Sequence, residues 1–66
     1  MHVGIVKWFN GQRGYGFIQR DGEPDIFIHY RDIAMDGYKI LTEGDKVTFD
    51  IRETEDRISA VNVCVV

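Results

Sequence analysis

Over no window of ten or more residues do apolar side chains recur at i, i+3, i+4 and i+7, so this chain offers no amphipathic helix from which to build a core. Short segments of β type take that place, cut apart by Gly, Asp and Pro. They run Val3–Asn10, Tyr15–Arg20, Asp25–His29, Val47–Arg52 and Ile58–Val66. Gly11-Gln12-Arg13-Gly14 and Thr54-Glu55-Asp56 read as turns, and Asp21-Gly22-Glu23-Pro24 as a hairpin turn, because Pro cannot continue a ladder. Residues 30–45 form one long irregular stretch, broken at Asp36-Gly37 and at Glu43-Gly44-Asp45. Five short strands within 66 residues must close on themselves or leave unpaired edges. The expected fold is therefore all-β, a five-stranded antiparallel Greek-key barrel of OB type, with residues 1–66 forming one domain.

No covalent or metal staple supports so small a core. Cys64 is alone, which excludes an internal disulfide and reads as cytosolic. His2, His29 and Cys64 lie too far apart in sequence for the close ligand pairs of a zinc site, so neither metal nor cofactor is expected. No stretch approaches the roughly 20 apolar residues of a membrane span, and Met1-His2-Val3-Gly4 opens no signal peptide. A cytoplasmic protein with no membrane partner is the expectation. Cys64 itself reads as a small strand hydrophobe.

The second and third segments carry the information about function. Residues i and i+2 share a face of a strand. Ile18, Ile26 and Ile28 therefore fall on one side of the hairpin together with Gly16. Tyr15, Phe17, Phe27 and His29 fall on the other, with Asp25. Branched aliphatics suit the interior of a small barrel, whereas four rings would overfill it. The aromatic side is then the one that faces water, and a contiguous apolar patch on so small a protein marks an interaction site. The fourth segment shows ordinary patterning for comparison: Val47, Phe49 and Ile51 on one face, Lys46, Thr48, Asp50 and Arg52 on the other. Phe49 belongs to the core.

Composition alone points away from a phosphate-coated partner. Lys and Arg number 8 and Asp and Glu 11, a net charge of −3, whereas nucleic-acid binders are usually basic. The charge is uneven, however. The first 20 residues carry Lys7, Arg13 and Arg20 and no acid, and seven of the eight rings lie between Trp8 and Tyr38. Every nucleobase has a π-face, so an exposed ring surface binds single strands with little regard for sequence. Bases locked in a duplex cannot reach such a surface. Binding dominated by stacking neutralises few phosphates and should depend only weakly on salt.

These residues resemble the cold-shock domain. Lys7-Trp8-Phe9-Asn10 is similar to its first-strand signature, Arg13-Gly14-Tyr15-Gly16-Phe17-Ile18 to its RNP1 motif and Ile26-Phe27-Ile28-His29-Tyr30 to its RNP2 motif. Gly44 and Ala60-Val61-Asn62-Val63 also fit, so the resemblance spans essentially the whole chain. It implies a five-stranded barrel that binds single-stranded RNA and DNA, acting as an RNA chaperone or transcription antiterminator. By position, Trp8, Tyr15, Phe17, Phe27, His29, Tyr30 and Tyr38 would form the stacking surface, with Phe9 half buried beside them. Lys7 and Arg13 would face phosphates, and Asn10 and Asp25 could hydrogen-bond base edges. Gly14 and Gly16 flank Tyr15. Gly16 either lets a base come close or relieves a clash in a bent strand.

The chain departs from the family pattern in places. Tyr stands at 15, 30 and 38 where Phe is common, and Arg31-Asp32 follow RNP2 where small residues are expected. Arg31 would add a phosphate contact or pair with Asp32. The apolar end Val63-Cys64-Val65-Val66 would be a bare edge, open to pairing with another chain. A monomer is expected, with a strand-exchanged dimer or a protein-interaction module as the alternative. His29 has no serine or cysteine nucleophile beside it, so no enzyme is expected.

Overall fold

A computed structural model describes residues 1–34 and 40–66. The expected loop signal at Asp36-Gly37 and the expected stacking residue Tyr38 lie outside the described residues. The strands are β1 (His2–Asn10), β2 (Tyr15–Arg20), β3 (Glu23–His29), β4 (Lys46–Glu53) and β5 (Ile58–Val65), with one short 3-10 turn at Tyr30–Asp32. They close into a barrel in the order β1-β2-β3-β5-β4, and the described residues contain no α-helix.

One seam departs from the antiparallel expectation. β3 and β5 run parallel, in register at Phe27 and Ser59, while the β1–β2, β1–β4, β2–β3 and β4–β5 seams are antiparallel. The reason is topological. A closed ring with an odd number of strands cannot alternate direction throughout, so at least one neighbouring pair must run the same way.

The hairpin turn is also tighter than expected. Glu23 and Pro24 belong to β3, and only Asp21-Gly22 turn the chain. Pro24 is tolerated because the β2–β3 register shifts between Ile18 and Arg20, beside the start of the strand, where a missing donor costs least. Its carbonyl accepts a hydrogen bond from Arg20 Nε at 3.0 Å.

The core follows the aliphatic parity. Val6, Ile18, Ile26, Ile28, Ile33, Leu41, Val47, Phe49, Ala60 and Val63 are all buried, with Ile51 and Ile58 packed against them. Ile18 faces Ile26 and Gly16 faces Ile28 across the β2–β3 seam, so one side of this hairpin forms much of the barrel interior.

The apolar C-terminal end is not bare. Val65 pairs with Val47 and Cys64 with Thr48 on β4. On the other side, Ala34 N donates to Val63 O at 2.7 Å, and Ile33 bridges to Val63. Val66 N donates to Lys46 O at 2.9 Å. The expected bare edge is thus paired within this chain at Val63, Cys64 and Val65. Cys64 is half buried, and its Sγ donates to Ala34 O at 3.4 Å.

Candidate nucleic-acid interface

The hairpin places its rings in cross-strand pairs. Tyr15 lies opposite His29, and Phe17 opposite Phe27. Directly opposed residues share a face, so all four point away from the core. Each is half buried, leaving part of every ring open to solvent.

Trp8 joins them through a register shift. Gly4 and Val6 point inward, so simple alternation along β1 would bury Trp8 as well. A bulge between Val6 and Trp8 resets the parity, puts Trp8 opposite Phe17, and leaves it 37% exposed. Trp8, Tyr15, Phe17 and Phe27 then form one connected layer, with His29 and Tyr30 as a second pair. Trp8 meets Tyr15 edge-on at 5.6 Å between centroids and Phe17 at 5.4 Å. Tyr15 stacks on Phe27 at 6.0 Å, and Phe17 meets Phe27 edge-on at 5.8 Å. His29 packs against Tyr30 at 4.6 Å, and Tyr30 is 49% exposed. Rings in mutual contact hold one another in place, so little side-chain freedom remains to be lost when a flat ligand arrives.

The same shift turns Phe9 toward Gly16, where it packs against the core and is half buried, as expected. Gly16 follows from this approach. A Cβ there would collide with the Trp8 carbonyl oxygen and would lie 2.8 Å from Phe9 Cα, so close packing of β1 on β2 explains the glycine without a ligand. Gly14 has a different reason. Its φ of +78° suits glycine, and the Tyr30 ring covers the position a side chain would take.

Asn10 builds the turn. Its Oδ1 accepts from Gln12 N and from Arg13 N, both at 3.0 Å, and its carbonyl accepts from Gly14 N at 2.7 Å. Its side-chain oxygen is thus engaged with backbone, and the base-edge role expected for Asn10 falls to its amide nitrogen. Tyr30 N in turn donates to Gly14 O at 2.7 Å, tying the β1–β2 turn to the end of β3. Lys7 and Asp25 meet each other: Nζ donates to Asp25 Oδ2 at 2.8 Å. The pair is partly solvent-exposed, and such pairs contribute only about 0–1 kcal/mol, so either member exchanges readily for a phosphate or a base edge. Arg13 is exposed on the turn. Arg31 N donates to His29 Nδ1 at 3.3 Å, which leaves Nε2 as the protonated nitrogen of a neutral ring. The expected Arg31–Asp32 ion pair is not formed among the described residues.

Residues from the far end of the chain also reach this face. Arg57 lies over the Phe27 ring, its Cζ 5.7 Å from the centroid. Beside Phe27 and His29 an open groove of about 370 Å³ is walled by Arg31, Arg52 and Arg57. Reading charge by segment misses Arg52 and Arg57, since the last 46 residues are strongly acidic as a stretch. The parallel β3–β5 seam brings these two beside the rings, and no local pattern announces that contact, whereas Arg31 directly follows β3.

Comparison with known proteins agrees with this geometry. Residues 2–66 match the family model described as the 'Cold-shock' DNA-binding domain. The chain is 48% identical over 62 residues to the cold shock-like protein CspG of Shewanella violacea, covering 92% of this chain and 89% of that one. It is 46% identical over 63 residues to the cold shock protein CspC of Bacillus subtilis, covering 96% of each. It is 50% identical over 60 residues to the cold shock-like protein CspB of Bacillus cereus, covering 91% of this chain and 92% of that one. A closed five-stranded barrel with a layer of rings on its outer face, matched over nearly its whole length, belongs to the cold-shock domain family of nucleic-acid-binding proteins.

Proposed function

We propose that this chain is a non-catalytic binder of single-stranded RNA and DNA that holds bases by stacking on Trp8, Tyr15, Phe17, Phe27, His29 and Tyr30. The observation that carries this reading is the division of one hairpin into a fully buried aliphatic side and a half-open aromatic side. A base stacked on such a ring contributes about 1–3 kcal/mol, so a few stacks are enough for useful affinity without strong phosphate attraction. Tyr38, placed in the stacking surface by motif position, belongs to the same proposal. Lys7 and Arg13 supply charge at the margin, and Asp25 a hydrogen-bond acceptor once Lys7 releases it.

Acting in the cytoplasm as one binding unit over residues 1–66, a monomer of this kind would keep RNA unpaired. That is the activity of an RNA chaperone or a transcription antiterminator. The test is fluorescence anisotropy with labelled single-stranded and double-stranded oligonucleotides of both RNA and DNA. Saturable binding to single strands, and at least tenfold weaker binding to duplexes, is expected. Equal affinity for duplexes would reject stacking. A protein-interaction module using the same ring face predicts a dimer in sedimentation that nucleic acid does not dissociate.

A further inference from the structure

The ring layer does not end at β3. Cross-strand register carries one row over all five strands: Trp8 opposite Phe17, Phe17 opposite Phe27, Phe27 beside Ser59, and Ser59 opposite Arg52. Opposed residues share a face, so the row that begins as rings finishes as a hydroxyl and a guanidinium. Arg52, Arg57 and Arg31 reach this end of the row from β4, from the β4–β5 turn and from the 3-10 turn, and together they wall the groove beside Phe27 and His29. Thr54 and Ser59 add hydroxyls, and Asp32 is the sole carboxylate lining the groove among the described residues.

Strand alternation explains how an acidic segment presents a basic groove. Arg52 and Thr54 share one parity and line it. Glu53 and Glu55 have the other parity, and neither they nor Asp56 lines the groove. Three guanidiniums against one carboxylate, in an open and polar groove, form a site for an anion rather than for a base. Arginine suits phosphate in particular, because its planar fork can give two parallel hydrogen bonds.

We propose that this groove is a phosphate-binding extension of the ring face: Arg31 and Arg52, with Arg57 at the boundary, hold backbone phosphates of the strand whose bases stack on Phe27 and His29. The inference rests on the stacking function proposed above. It makes binding more dependent on salt than a net charge of −3 suggests, and it gives the strand a path across β5 onto β4.

The experiment is a titration of Trp8 fluorescence with oligothymidine at about 50 and about 200 mM salt, for the wild type, for the double variant Arg31→Gln/Arg52→Gln, and for Lys46→Gln. Lys46 is an exposed β4 cation that does not line the groove. For single strands, each phosphate neutralised contributes a log–log slope of about −0.7. Between those salt concentrations the wild type should therefore lose about sevenfold more affinity than the double variant, which makes two contacts fewer. Lys46→Gln should behave nearly as the wild type. Thermal unfolding of the variants, expected to match the wild type, guards against a folding defect. An unchanged slope in the double variant would overturn the groove while leaving stacking intact. So would a loss in Lys46→Gln equal, per charge, to that in the double variant, because the effect would then be one of overall field. Absence of quenching in the wild type would overturn the stacking function and the groove together.

Discussion

Phe17 and Phe27 are the residues on which the stacking account depends most. They oppose each other at the middle of the hairpin and touch the other rings on either side. Replacing either by Ala should weaken oligothymidine binding by about 1–3 kcal/mol. An equilibrium titration read by labelled oligonucleotide checks this without relying on Trp8. Gly16 makes the opposite prediction, on stability. Gly16→Ala drives a Cβ into the backbone of β1, and over-packing of this kind costs about 1–3 kcal/mol, to be read from urea unfolding. Asn10→Ala loses two side-chain hydrogen bonds to the β1–β2 turn and should cost about 1 kcal/mol in the same assay. At this scale the sequence was legible where identity alone decides, as for the rings. It was not legible where one residue has two possible partners. Nothing in the type of Asn10 or Asp25 says that the first turns to its own backbone and the second to Lys7.

Among the elements, the β2–β3 hairpin was readable because period-2 alternation is a local signal, and its two faces fell where parity puts them. The consequence for stability is testable. Ile28→Ala removes a fully buried side chain, at about 2–5 kcal/mol. That is comparable to the whole stability of a domain this small, so the variant should be largely unfolded at room temperature by circular dichroism. Ile5→Ala on the outer face of β1, where the residue is 42% exposed, should change stability by no more than about 0.5 kcal/mol. β1 shows where parity fails. Residues 2–5 pair with β4 and residues 5–10 with β2. The bulge between Val6 and Trp8 turns Trp8 outward and packs Phe9 against the core. A bulge is one residue out of register and leaves no mark in apolar periodicity. Motif resemblance placed Trp8 on the surface for a reason that alternation could not supply.

At the scale of the whole molecule, closure decides what meets what. Five strands in a ring force one parallel seam, here β3–β5, and that seam carries Arg52, Arg57 and Ser59 to the edge of the rings. The fold class was legible because short strands in a short chain have few ways to hide their edges. The contribution of Arg52 and Arg57 to the interface was not, because pairing across the seam joins segments more than 30 residues apart. Closure also seals the apolar end against β4 on one side and Ile33-Ala34 on the other. The central claim remains that the ring layer itself binds unpaired bases, and Trp8 reports from within that layer. Titrating micromolar protein with oligothymidine at low salt should quench its fluorescence saturably, and the same sequence annealed to its complement should not. No quenching by the single strand, or equal quenching by the duplex, would contradict the account.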